Sequence, residues 1–280
     1  MNDVSHEFAA SGPETALNAL CVCCFGRGGS SMLWHFLGSS PDVWMMHEEW
    51  HQSVFSGLTP VRKLLRKATQ NGYFHSLGNG TGPHDRALQA FMRKRVLGSL
   101  AQDPHLIHPE AKYIGMKIMD YNIVWHDSVR RGFGGGKTVV LSREPLPQCE
   151  SLMRSGLTLE EACRKYSEVA EYQAALLARP GVVSVRFRDF LQNPAALMRE
   201  TLAALELTEP DQYVAKVKPF GENRQEQTDV SERILRAIPS AELRAFVSPD
   251  VDEKAVARLR DTDVAEIRDL TRDAERLLGY

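Results

Sequence analysis

The stretch that most constrains this chain is Leu17–Phe25, apolar at every position but Asn18, which is cut off by Gly26-Arg27-Gly28-Gly29-Ser30-Ser31. A short apolar run without polar alternation reads as a strand of a parallel sheet covered on both faces. Beyond the glycines, Met32, Leu33, Phe36 and Leu37 recur at helical spacing, with Ser30 and Ser31 placed to cap the helix. Strand, glycine loop and helix together make an anion site. Glycines let the backbone turn and approach a ligand, and a helix start leaves N–H groups without internal partners. Arg27 adds a planar cationic fork. By spacing alone, an ordinary βα turn with a surface arginine fits as well. Two standard phosphate motifs fail. No lysine precedes Ser30 or Ser31 as GxxxxGK[ST] requires, and Ser31 stands where GxGxxG needs its last glycine.

Three of the five cysteines, Cys21, Cys23 and Cys24, lie in the first run; the others are Cys149 and Cys163. An odd, crowded set without a second distant pair suits neither a disulfide framework nor structural zinc. It predicts small buried hydrophobes in a reducing compartment, with Cys21 and Cys23 on one face of the strand and Cys24 on the other.

Further strands are predicted at Val43–Met46, Lys112–Ile118, Lys137–Leu141 and Val182–Phe187. Between them come helices at Ala87–Leu100, through Ile123, Val124 and Val129, at Leu146–Arg154 and at Thr158–Ala178. A Thr158–Glu161 capping box opens the last of these, and Asn193-Pro194 starts another helix through Leu205. Val61–Ala68 reads as a basic helix, Gly78–Pro83 as a loop, and the chain from Asp211 as mostly helical and charged. Strands alternating with helices predict an α/β fold with a central parallel sheet flanked by helices on both faces. The expected organisation is a flexible 1–14 followed by one domain over 15–280, with 51–110 a helical excursion on the substrate side.

With 34 basic and 36 acidic side chains the net charge is −2, which gives no electrostatic reason to expect nucleic acid as partner. No run approaches the roughly 18–20 apolar residues of a membrane span. Met1–Glu14 carries acidic residues and no basic start, so a cytoplasmic location is expected rather than secretion. Oligomeric state is left open, a homo-oligomer included.

A second motif follows the third strong strand: Val139-Val140-Leu141-Ser142-Arg143-Glu144-Pro145, then Ser151 eight residues after the arginine. Arg143 leaves a strand at its C-terminal end, where open α/β sheets bind ligands, and Ser151 lies about two helical turns later. Together with Arg27-Gly28-Gly29-Ser30-Ser31, this pair resembles the sulfotransferase superfamily, whose members take a sulfuryl group from 3′-phosphoadenosine 5′-phosphosulfate (PAPS) and release adenosine 3′,5′-bisphosphate (PAP). Val185–Leu191 with Asn193-Pro194, Lys117 in Gly115-Met116-Lys117-Ile118, and the ending Leu277-Leu278-Gly279-Tyr280 extend the likeness from about residue 20 onward; residues 52–110 match nothing in it. Arg27 in place of lysine, Glu144 in place of Asp or Asn, and Arg188 in place of Glu set the chain nearer the carbohydrate and heparan-type pattern of bacterial relatives than the cytosolic aryl and steroid branch.

The resemblance implies a P-loop-like three-layer fold and a division of roles. Gly28, Gly29, Ser30 and Ser31 would hold the 5′-phosphosulfate, and Arg27 the charge developing around the transferring group. Arg143 and Ser151 would fix the 3′-phosphate, and Arg224, near Lys216 and Lys218, would belong to a basic loop over the nucleotide. Lys117 would contact the sulfuryl group or position a hydroxyl-bearing small-molecule, carbohydrate or lipid acceptor. An attacking hydroxyl needs a proton acceptor. Glu49 is the expected base, with Glu48, His47 and His51 behind it. No metal is needed. Two alternatives stand beside this reading: a noncatalytic adenosine-bisphosphate-binding or scaffold protein, and a P-loop small-molecule kinase, which the missing loop lysine disfavours.

Overall fold

The computed structural model describes residues 17–45, 86–94 apart from 88 and 92, 111–217 and 234–280. The expected flexible N-terminus, Val61–Ala68, Gly78–Pro83 and most of the 51–110 excursion lie outside those residues. The described positions within 86–94 are helical, as read.

The first apolar run forms β1 (Asn18–Cys24), followed by α1 (Ser30–Leu37) and β2 (Val43–Met45). Next come β3 (Tyr113–Met119), a 3-10 turn (Asp120–Trp125), α2 (His126–Gly132) and β4 (Gly136–Ser142). Two helices, α3 (Pro145–Met153) and α4 (Leu159–Leu177), lead to β5 (Val182–Arg186). The five strands are parallel in the order β2-β3-β1-β4-β5, so β1 sits at the centre, paired on both edges.

Alternation along β1 divides the core. Ala19, Cys21 and Cys23 pack with Cys149, Leu152 and Tyr166 of α3 and α4, and with Ile267 of the long C-terminal α9 (Asp261–Leu278). Leu20, Val22 and Cys24 pack with Leu33 and Phe36 of α1, with Phe190 of α5 (Phe187–Gln192) and with Met198 of α6 (Pro194–Ala204). The architecture is therefore three layers, helices on both faces of a parallel sheet, and both faces need apolar side chains. All five cysteines are free and buried. No helix among the described residues is long and apolar enough to cross a membrane.

Local signals set helix starts as read. Thr158 Oγ1 accepts from the Glu161 N–H at 3.2 Å while the Glu161 carboxylate accepts from the Thr158 N–H at 2.9 Å. Asn193 Oδ1 accepts from the Ala196 N–H at 3.3 Å ahead of α6, with Pro194 in its first turn. The region after Asp211 departs from the helical expectation. It opens with β6 (Tyr213–Val217), antiparallel to β7 (Ile234–Ile238). Tyr213 and Ile238 face each other in register and are both fully buried, and the Tyr213 ring lies edge-on to Phe36 of α1 at 5.4 Å. A short extended segment delivers that ring to the core. The short α7 (Leu243–Phe246) and α8 (Val251–Val256) then precede α9.

At the edge of the sheet where β4 begins, His126 is fully buried, its Nε2 2.8 Å from Thr138 Oγ1 and its Nδ1 3.0 Å from Asp127 Oδ1; Arg179 donates to the same carboxylate oxygen at 2.6 Å. Burial lowers the His126 pKa below its ordinary 6.5, and hydrogen bonds from His126 and Arg179 hold Asp127 well below the carboxylate range. Depression means that the unfolded chain takes up protons first in both cases, so acid removes stability. The His126 contribution should be lost as pH falls below about 6.5, and that of Asp127 at lower pH still. Thermal melts across this range should show Tm declining below about pH 6.5, with a shallower slope for His126→Gln. A variant slope equal to wild type would rule out His126 as the titrating group.

Candidate functional site

The loop after β1 is shaped by its neighbours. Phe25 stacks on Tyr166 at 5.0 Å with the rings 2° from parallel, and the Gly28 N–H donates back to Phe25 O at 3.2 Å. Gln148 Nε2 of α3 donates to Gly26 O at 2.8 Å. Arg27 has φ 64° and Gly29 φ 79°, so a non-glycine residue occupies the left-handed region inside the loop. Gly29 has no alternative, because a Cβ there would lie 2.0 Å from Phe187 Cε2. Ser30 is the first helical residue and not the expected cap; Gly29 takes the cap position, and no side chain caps α1. The hydroxyls of Ser30 and Ser31 are left to serve the space in front of the helix.

That space is a cavity of about 580 Å³, lined by Arg27, Gly29, Ser30 and Ser31 from the loop and α1, Lys117 and Met119 from β3, and Arg143 and Ser151 from the β4 exit and α3. Its size lies within the 300–1,000 Å³ usual for small-molecule sites. It sits at the C-terminal edge of the sheet. There β1 sends its helix to the face shared by Leu33 and Phe36, and neighbouring β4 sends α3 to the opposite face with Cys149 and Leu152. Such a divergence is the switch point at which open α/β sheets bind ligands. The structure thus brings Arg27, Gly29, Ser30, Ser31, Lys117, Arg143 and Ser151 together, with Gly28 buried in the loop beneath them. Glu49, His51, Glu48, His47, Lys218 and Arg224 lie outside the described residues, and Lys216 falls in β6.

Arg143 is only 5% exposed. Its Nε and Nη2 donate to Asp252 Oδ1 at 3.0 and 2.5 Å, and its Nη1 donates to Arg27 O at 2.9 Å. The guanidinium lies over the Phe187 ring, 4.9 Å from its centroid. Tyr166 donates to Arg143 O at 3.1 Å, and the Ser142 hydroxyl meets the Tyr280 hydroxyl at 2.8 Å, so the strand end is held on several sides.

One wall has no counterpart in the sequence reading. Val251 and Ala255 of α8, with Arg258 just beyond it, line the cavity together with Glu150 of α3 and Arg154 just past its end. Arg258 Nε donates to Glu150 Oε1 at 2.5 Å. Nothing local marks this wall: Val251–Arg258 is an ordinary mixture of charged and small residues, distinguishable only by the partners it meets. The lining is strongly cationic in a chain of net charge −2, with Arg27, Lys117, Arg143, Arg154 and Arg258 against the carboxylate of Glu150. Behind the loop, the buried Asp120 carboxylate approaches Gly26 and is neutralised by Lys165 at 2.5 Å.

The backbone arrangement recurs in a solved structure. The sulfotransferase domain from the curacin biosynthetic pathway superposes with a TM-score of 0.53 at 15% identity, over 92% of this chain and 97% of that one. The fold is that of a sulfotransferase domain. Weaker similarities are to the sulfotransferase domain of the Synechococcus PCC 7002 olefin synthase, with TM-score 0.48 and 18% identity over 91% of this chain and 94% of that one. The sulfotransferase from Alicyclobacillus acidocaldarius gives 0.42 and 14% over 88% and 98%. By sequence, the chain matches no protein-family model and no curated protein.

The loop's strain is measurable. Arg27→Gly should relieve the left-handed conformation, a gain of about 1–2 kcal/mol partly offset by about 0.5–1 kcal/mol of glycine's unfolded-state entropy. Denaturant unfolding should find the variant slightly more stable than wild type. Gly29→Ala should be clearly less stable, since the Phe187 ring must move. An Arg27→Gly variant less stable than wild type would contradict the strained loop.

Proposed function

We propose that this protein is a PAPS-dependent sulfotransferase, transferring a sulfuryl group to the hydroxyl of a small-molecule, carbohydrate or lipid acceptor with a carboxylate base. One observation carries the reading: residues from four separated parts of the chain, near 27–31, 117, 143 and 151, line one cationic cavity at the switch point of the sheet. The cavity suits a ligand with two anionic ends. The uncapped start of α1, the Ser30 and Ser31 hydroxyls and Arg27 would take one end, and Arg143 and Ser151 the other. When bound, PAPS would supply the activated sulfuryl group.

The roles divide by where charge changes. Arg27, with the loop N–H groups, would stabilise charge that grows around the transferring group, and contacts strengthened in the transition state lower the barrier. Arg143 and Ser151 would hold a remote phosphate of constant charge and so act on binding and placement. Lys117 would reach the sulfuryl group or the acceptor. Glu49 remains our proposed base, with Glu48, His47 and His51 as its neighbours in sequence, and we place the chain nearer the heparan-type pattern. The cytoplasm suits its five free cysteines. A binding-only role for PAP is the second reading, favoured by the state of Glu150, the one carboxylate lining the cavity among the described residues, which is already paired with Arg258.

Calorimetry should find PAP bound far more tightly than AMP, with Arg143→Ala erasing most of the difference; equal affinity in the wild type would reject the donor assignment. Steady-state kinetics, with an acceptor found by screening with labelled PAPS, should separate the two ends. Arg27→Ala should lower kcat about a hundredfold, or about 2.7 kcal/mol, whereas Arg143→Ala should chiefly raise the KM for PAPS. Glu49→Gln should keep nucleotide affinity and lose turnover. PAP binding with no turnover of any acceptor would favour the second reading.

A further inference from the structure

We infer that Asp252 on α8 is a positioning residue for the donor site, aiming Arg143 at the remote phosphate from behind. The inference rests on the donor reading above and adds to it a residue more than a hundred positions away in sequence. Arg143 lines the cavity, as do Val251 and Ala255 on either side of Asp252, but Asp252 itself does not. Its carboxylate therefore approaches the guanidinium from outside the ligand space and takes the Nε–H and one Nη2–H. Arg27 O takes one Nη1–H. Of the five N–H bonds on an arginine side chain, this leaves one on Nη1 and one on Nη2. Those two remain for a phosphate, which an arginine commonly grips through two N–H bonds. The Phe187 ring supports the flat face of the group at 4.9 Å.

Buried this deeply, a guanidinium without a counter-ion would carry a heavy desolvation cost and would turn toward any carbonyl within reach. Asp252 removes that cost while leaving the ligand-facing edge free. A second ion pair joins the same two segments with its polarity reversed: Glu150 of α3 holds Arg258, which follows α8, and both line the cavity. The Arg143–Asp252 and Glu150–Arg258 pairs join the two ends of the α3 segment to the two ends of the α8 segment, so α8 is fixed as a wall of the site. Ser151 follows Glu150 directly in α3.

The test is a double-mutant cycle read by calorimetry on the full chain, with PAP and AMP as probes. Asp252→Ala should weaken PAP at least tenfold and leave AMP within about twofold of wild type. Arg143→Ala should abolish the preference for PAP, and adding Asp252→Ala to it should change PAP affinity no further, because Asp252 acts through Arg143. Asp252→Asn keeps the shape and one acceptor oxygen but removes the counter-charge, and should weaken PAP between about threefold and tenfold with AMP unchanged. That variant carries the test if Asp252→Ala fails to fold. Equal weakening of PAP and AMP, additive losses in the cycle, or tighter PAP binding by Asp252→Asn or Asp252→Ala would overturn the inference; the last would make Asp252 a competitor of the phosphate. A wild type that binds PAP and AMP alike removes the donor reading and the inference with it. A PAP preference that survives Asp252→Ala removes the inference alone.

Discussion

Every part of the site is located by the confinement of β1. Its backbone is paired along both edges, to β3 and to β4, and both faces of its side chains are covered by helices. A strand held in all four directions cannot shift, and a one-residue slip would exchange its two apolar sets between layers that they do not fit. The glycine loop emerges from that strand, so its backbone points into the switch-point crevice with little freedom. Phe25 on Tyr166 and Gln148 on Gly26 O remove what freedom remains. The strained Arg27 conformation is sustained by this surrounding rigidity.

Electrostatics follow the same layering. The chain as a whole is almost neutral, yet cations dominate the cavity, and the counter-charge of its buried arginine lies behind it: Asp252 behind Arg143. Bare burial of the Arg143 guanidinium would be unstable, while full neutralisation at its ligand-facing edge would leave nothing there to attract an anion. The Asp252 carboxylate on the far side satisfies both demands. Glu150 is the exception in facing the cavity, and there it is tied to Arg258.

What could be read from the sequence was whatever local pattern encodes. The apolar run and glycines near residue 26, the capping box at Thr158 and the Arg143–Ser151 spacing all act within a few turns of chain, and each lies where it was expected. The α8 wall could not be read, because its meaning resides in pairings such as Arg143 with Asp252, between charged residues that are unremarkable in their own neighbourhoods. Tyr213–Val217 misled for a related reason. Five residues are too few to establish a period, and the partner strand begins only at Ile234. The segment from His47 to His51, on which the expected base falls, lies outside the described residues, so that part of the reading rests on sequence alone.

The central place of β1 has a consequence for how the protein is made. The partner of this strand nearest in sequence, β3, begins only at Tyr113, and β4 follows at Gly136. At ordinary synthesis rates of about 5–20 residues per second, β1 spends on the order of ten seconds outside the ribosome before either neighbour exists. During that interval a run containing Cys21, Val22, Cys23 and Cys24 is unpaired and sticky, with three thiols open to oxidants that they never meet once folded. Late pairing of an early strand also raises contact order and slows folding. Production of this protein should therefore depend on chaperone capacity and on reducing conditions during synthesis far more than the finished molecule does.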